Sequence, residues 1–204
     1  MVFSKELINE SLGCLSQQSI KLDERQKSYL AGYPALLALF KQLNFDKYED
    51  VIAGAYAAYG WMPTILKRPP SKEQAHELRE FIRSAMVSEK SVSLTDSISC
   101  LKSINNSVVG TSKFLHFCCP DVFPIWDSNI ANVFGLRSYH HNRVQTYVDY
   151  VSAMREWCDD EYAFPASYVE VLVSNGVENS WTKIRKLEFA LYLLGATVGK
   201  AIKG

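Results

Sequence analysis

Apolar residues in this chain recur every three or four positions and almost never alternate one by one, which restricts it to helices. Alternating β-branched runs bounded by turn residues, the mark of a half-buried strand, are nearly absent. Leu7, Ile8, Leu12 and Leu15 trace one face of a first helix, with Ser4 placed to cap it. A second is expected from about Asp23 to Leu43, and Gly32-Tyr33-Pro34 should kink or split it, because proline removes a helical hydrogen bond. Asp46 is placed to cap a third helix, which turns Val51, Ile52, Ala55 and Tyr56 inward. The small residues Ala53, Gly54, Ala57 and Ala58 on that helix suit close packing.

Lys67-Arg68-Pro69-Pro70 is the clearest break in the chain. Ser71 and Gln74 then form a capping box, and the helix behind it carries Leu78, Phe81, Ile82 and Ala85. Further helices are expected over about 94–104, 113–119, 128–135, 143–158, 166–174 and 181–202, with Asn175-Gly176 closing the penultimate one through a left-handed residue. About ten helices this short, joined by short connections, suit an all-α orthogonal array and not a coiled coil or an up-down bundle. With 204 residues the chain can form one domain over 1–204, or two small lobes sharing a core. A lobe boundary would fall near Pro69-Pro70, with the C-terminal helices returning to the first lobe.

Composition removes several function classes. The 22 basic and 22 acidic side chains cancel, which counts against a strong non-specific DNA binder, since such proteins neutralise phosphate with an excess of Lys and Arg. Local basic clusters remain: Lys183, Arg185, Lys186, Lys200 and Lys203 against Glu188, and Arg137, His140, His141 and Arg143 with no acid among them. The first reads as a solvated helix end balanced by Glu156, Asp159, Asp160 and Glu161. No apolar run approaches the roughly 18 residues of a membrane span, and Met1-Val2-Phe3-Ser4-Lys5-Glu6 lacks the build of a signal peptide, so a cytoplasmic protein with no membrane partner is expected. The five cysteines contain no CxxC pair; they read as reduced, buried fillers, not as metal ligands. His140-His141 are adjacent and so cannot share a helix face as a metal pair. No nucleophile elbow, glycine-rich phosphate loop or HExxH occurs, so no metal or cofactor is expected.

One tract carries chemistry: Val109-Gly110-Thr111-Ser112-Lys113-Phe114-Leu115-His116-Phe117, then Pro120-Asp121-Val122-Phe123-Pro124-Ile125-Trp126-Asp127-Ser128-Asn129. A helix from Lys113 to about Cys119 would be roughly 9–10 Å long. The segment Pro120 to Trp126, stiffened by two prolines, is long enough to run back along it and return Asp127 to Lys113. There Asp127 meets the start of a helix, which favours its ionised form. The same carboxylate can act simply as an N-cap, and Lys113 can be exposed or paired with Asp127 or Asp121. His116, on the apolar helix, reads as buried and hydrogen-bonded.

That order of features resembles the active-site region of the helix-hairpin-helix DNA glycosylase superfamily over roughly residues 104–136. The resemblance implies a helix-hairpin-helix glycosylase-like array with a cleft between two lobes, and a DNA-repair-type N-glycosylase acting on a flipped damaged base in duplex DNA. It makes Gly110 the hairpin turn, with Thr111 and Ser112 beside it at the DNA. Lys113 becomes the amine nucleophile that confers AP-lyase activity, and Asp127 the catalytic carboxylate. Trp126, Tyr139 or Trp181 would offer a stacking face for the base, and Arg137 a DNA contact. The chain departs from the pattern in having a single hairpin glycine, with valine at 108 and 109, and only 14 positions between Lys113 and Asp127. The alternative is a non-catalytic module of the same helical fold that binds nucleic acid or a protein partner.

Overall fold

The computed structural model describes residues 2–17, 19–61, 64–87, 99–160, 162–177 and 180–201, with side chains as far as 197. Among the described residues there are helices and turns and no strand. The helices are α1 (Lys5–Ser16), α2 (Glu24–Gln42), α3 (Tyr48–Trp61), α4 (Lys72–Val87), α5 (Val108–Cys118), α6 (Ser128–Val133), α7 (Val144–Asp159), α8 (Ala166–Ser174) and α9 (Lys183–Ala201).

Most boundaries follow local chemistry. Ser4 caps α1 by accepting the N–H of Leu7 at 3.2 Å. Asp23 and Gln26 form a reciprocal capping box on α2, and Ser71 and Gln74 form another on α4. Helices α6 and α8 end in the same way. Gly135 and Gly176 take positive φ, and the following residue returns its N–H to a carbonyl five residues back, Leu136 to Ala131 and Val177 to Leu172.

Three expectations change. Helix α2 runs unbroken through Pro34, whose neighbour Tyr33 is buried against His116, Phe117 and Trp181, so packing outweighs the lost bond. Asp46 does not cap α3; it pairs with Arg83. The helix expected over 94–104 falls partly outside the described residues at 94–98, and 99–102 form a short 3-10 turn.

The core is continuous from Phe3 to Leu194. Helix α9 packs on α6, α1 and α7, while α5 packs on α2 and α3. Gly195 makes the α6–α9 crossing possible. A Cβ there would stand 1.8 Å from the backbone oxygen of Asn129.

Candidate functional site

Helix α5 begins five residues before Lys113, not at it. Ser107 caps it, accepting the N–H of Gly110 at 3.2 Å. Gly110 therefore lies in the first helical turn and makes no hairpin. The left-handed residues are Asn105 and Asn106, at φ 58 and 51, a conformation that short polar side chains tolerate. Gly110 is glycine for a different reason: a Cβ would come within 2.0 Å of the Tyr59 hydroxyl. The Asn turn is anchored on two sides. The side-chain oxygen of Asn105 accepts the N–H groups of Lys67 and Arg68, and Asn142 bridges Val108 N–H and Asn106 C=O.

The segment after α5 folds back as its prolines suggest, and its carbonyls are held one by one. Thr182 donates to Pro120, Arg155 to Val122, His116 Nδ1 to Phe123 and Tyr147 to Pro124. A carbonyl can only accept, so Nδ1 of His116 carries the proton; Nε2 then accepts from the Tyr33 hydroxyl at 2.8 Å. Burial pushes the pKa of His116 down to about 3. This is the buried, hydrogen-bonded histidine expected.

At the end of the segment Ser112 Oγ accepts the N–H of Trp126 at 3.1 Å. That bond joins the neighbours of Lys113 and Asp127, and both side chains line one cavity of about 310 Å³. Asp127 caps α6, its Oδ1 accepting from Ile130 N–H at 3.0 Å. Capping and cavity lining are therefore roles of the same carboxylate. Lys113 is half-buried and, among the described residues, has neither a hydrogen bond nor an ion pair. Burial draws its pKa below the usual lysine value. Asp127 and Glu188 oppose that shift, Arg185 and Arg25 reinforce it, and the lowering prevails.

The other charged wall comes from α9. Arg185 and Glu188, 2% and 3% exposed, form an ion pair one turn apart. The guanidinium lies over the rings of Tyr33 and Trp181, each at 4.6 Å, and is flanked by Phe189 and Trp61. Burial raises the Glu188 carboxyl above its ordinary range, against the pull of Arg185. Tyr29, Trp61, Phe189 and Tyr192 supply aromatic surface to the cavity, and His141 closes one side. Planar walls, two acids and several cations at this volume suit a small, flat, polar ligand.

The remaining expected site residues divide sharply. Thr111 and Ser112 are fully buried, Thr111 holding the N–H of Ile104 and Ser112 that of Trp126. Trp126 is also fully buried, donates to the His141 carbonyl and packs on Phe3 and Tyr150, and Trp181 is buried against Arg185. None of the four has surface for a ligand, because each is already part of the core. Arg137 and Tyr139 are exposed on the turn between α6 and α7. The sequence reading assigned Arg185 and Glu188 to a solvated helix end. Their spacing with Ile184 and Tyr192, all on one helical face, is the signal that places them inside.

Among the described residues no group of His, Cys, Asp and Glu is arranged to hold a metal ion. The cysteines are thiols, Cys100 and Cys119 buried and Cys14 exposed. Among the described residues no helix is long and apolar enough to cross a membrane. Comparison of the chain with protein-family models, with curated proteins and with solved structures found no match.

Proposed function

We propose that the protein excises a flipped base from DNA, with Lys113 as amine nucleophile and Asp127 as the carboxylate that stabilises the developing positive charge. The observation that carries this reading is the shared cavity. An amine whose basicity is lowered by burial and a carboxylate that caps a helix N-terminus line the same space. A lysine attacks only through its neutral form, so a depressed pKa is what the chemistry requires.

In the reaction the Lys113 lone pair forms a bond to the sugar C1′ and the glycosidic C–N bond breaks, its electron pair leaving with the base. Asp127 balances the oxocarbenium-like charge on C1′ and the ring oxygen. The departing base takes a proton from the Lys113 nitrogen, now an ammonium bonded to C1′, and leaves neutral. The ring then opens as the C1′–oxygen bond breaks, solvent protonates that oxygen, and a protonated Schiff base to Lys113 remains. Tyr29, Trp61 and Tyr192 offer faces for the flipped base, and Arg185 and Glu188 polar groups for its edge.

The test is borohydride trapping on a panel of damaged duplexes. The wild-type protein should form a covalent adduct, Lys113→Ala should form none, and Asp127→Asn should lose excision by at least about 100-fold while remaining folded. Trapping by Lys113→Ala would remove the lysine from the mechanism. The placement of Gly110 inside a helix, with no hairpin glycine, favours a second reading as a non-catalytic nucleic-acid- or protein-binding module. Binding that ignores Asp127→Asn, with no excision from any duplex, would select it.

A further inference from the structure

The turn between α6 and α7, residues 137–143, presents an arrangement that the excision chemistry does not use. Tyr139 is 56% exposed. The His140 ring lies against it, tilted by 33°, at 4.0 Å between centroids, and the Arg143 guanidinium lies over it at 4.9 Å. Arg137 is exposed on the same turn. Among the described residues neither arginine has an ion pair. No Asp or Glu occurs between Asp127 and Asp149. In a chain whose charges cancel overall, this is a stretch of uncompensated positive charge built around an exposed ring.

The turn is also fixed relative to the cavity. His141 lines the cavity wall, and its carbonyl accepts from the Trp126 indole at 3.1 Å. Asn142 ties the turn to the start of α5 through Val108 and Asn106. Whatever binds at Tyr139 is therefore held at a set offset from Lys113 and Asp127.

Resting on the excision reading, we propose that residues 137–143 are the surface that grips the DNA strand beside the flipped nucleotide. Arg137 and Arg143 contact phosphates, and the ring of Tyr139 lies against a sugar or base of the same strand. A guanidinium over an aromatic plate, with a second arginine exposed on the same turn, matches a backbone that alternates charge with flat apolar faces. The surface takes over a task that Gly110, enclosed by Tyr59, cannot perform.

The experiment measures binding of the full chain to a duplex carrying a tetrahydrofuran abasic site, across a salt series, alongside excision from the damaged duplexes. The double variant Arg137→Gln/Arg143→Gln should make the slope of log K against log salt less negative by about 1.8, since each phosphate contact contributes roughly 0.9. Tyr139→Ala should weaken binding at least about 5-fold and leave the slope as it was, because stacking releases no counterions. If the wild-type protein excises and the variants keep its slope and affinity, this surface is wrong and the excision reading stands. If the wild-type protein neither excises nor binds the duplex, both fail together.

Discussion

Gly195 and Asn129 meet where α9 crosses α6, so closely that the first added carbon at 195 would overlap the backbone oxygen of 129. Asn129 is two residues beyond Asp127, so the crossing sets where the carboxylate stands. Gly195→Ala should cost about 2–3 kcal/mol, as an overpacked core contact against unyielding backbone does. Gly13, in α1, has no atom within 4 Å of a built Cβ. Gly13→Ala should instead gain about 0.5–1 kcal/mol from helix propensity. Urea unfolding of the two variants should shift the midpoint in opposite directions.

Gly110 and Tyr59 make a second contact of this kind, through a side chain that can be trimmed. Gly110→Ala alone should destabilise by about 1–3 kcal/mol. Tyr59→Phe removes the hydroxyl that stands 2.0 Å from the built Cβ. In the double variant part of the cost should return, giving a coupling of at least about 0.5 kcal/mol in a double-mutant cycle. Strict additivity would place the strain elsewhere.

Lys113 should weaken the fold it serves. Its folded pKa lies below the unfolded value, so at neutral pH the buried ammonium costs stability. The cost is relieved as pH rises from the folded pKa towards the unfolded one, where the unfolded chain binds the extra proton. Lys113→Met should raise stability at pH 7 by about 1 kcal/mol and flatten the alkaline rise, while abolishing adduct formation. Denaturation midpoints at pH 7 and pH 9.5 read both effects.

His116 should make the protein acid-labile. Its pKa falls from an ordinary 6.5 to about 3 in the folded protein, so the unfolded chain binds the additional proton between those values. Stability is complete above pH 6.5 and is lost as pH falls, by up to about 1.4 kcal/mol per pH unit from this group. Glu188, whose pKa is raised, contributes the opposite sign above the ordinary carboxylate range. His116→Gln should remove the acid slope, and Glu188→Gln should steepen it. An imidazole resonance of His116 that titrates near pH 6 in the native protein would contradict the buried assignment.

The fold was legible wherever a helix end is decided by neighbours in sequence. Ser4, the Ser71–Gln74 box and Asn175-Gly176 act through residues at most five positions away, and each is found in its expected place. The errors arose where distant packing decides. Gly110 reads locally as a turn, but Tyr59, from a different helix, explains it. Pro34 reads as a break, but Tyr33 is held by three rings from α5 and the 181 region. The approach of Asp127 to Lys113 was readable because chain length and two prolines limit where the segment can go. Thr111, Ser112 and Trp126 looked available because sequence shows polarity and aromaticity, not which side faces the core. Arg185 and Glu188 were hidden by the habit of charges to sit outside; only four surrounding rings make their burial tolerable.

The late place in the chain of α9, which supplies one wall of the cavity, has a consequence for biosynthesis. During translation α5 and α6 leave the ribosome well before α9, which carries Arg185 and Glu188. Until α9 docks, the cavity lacks that wall, so the lysine should be better hydrated and closer to its ordinary basicity. On the excision reading, nascent chains and fragments lacking α9 should form no adduct, and reactivity should be acquired only as α9 seats.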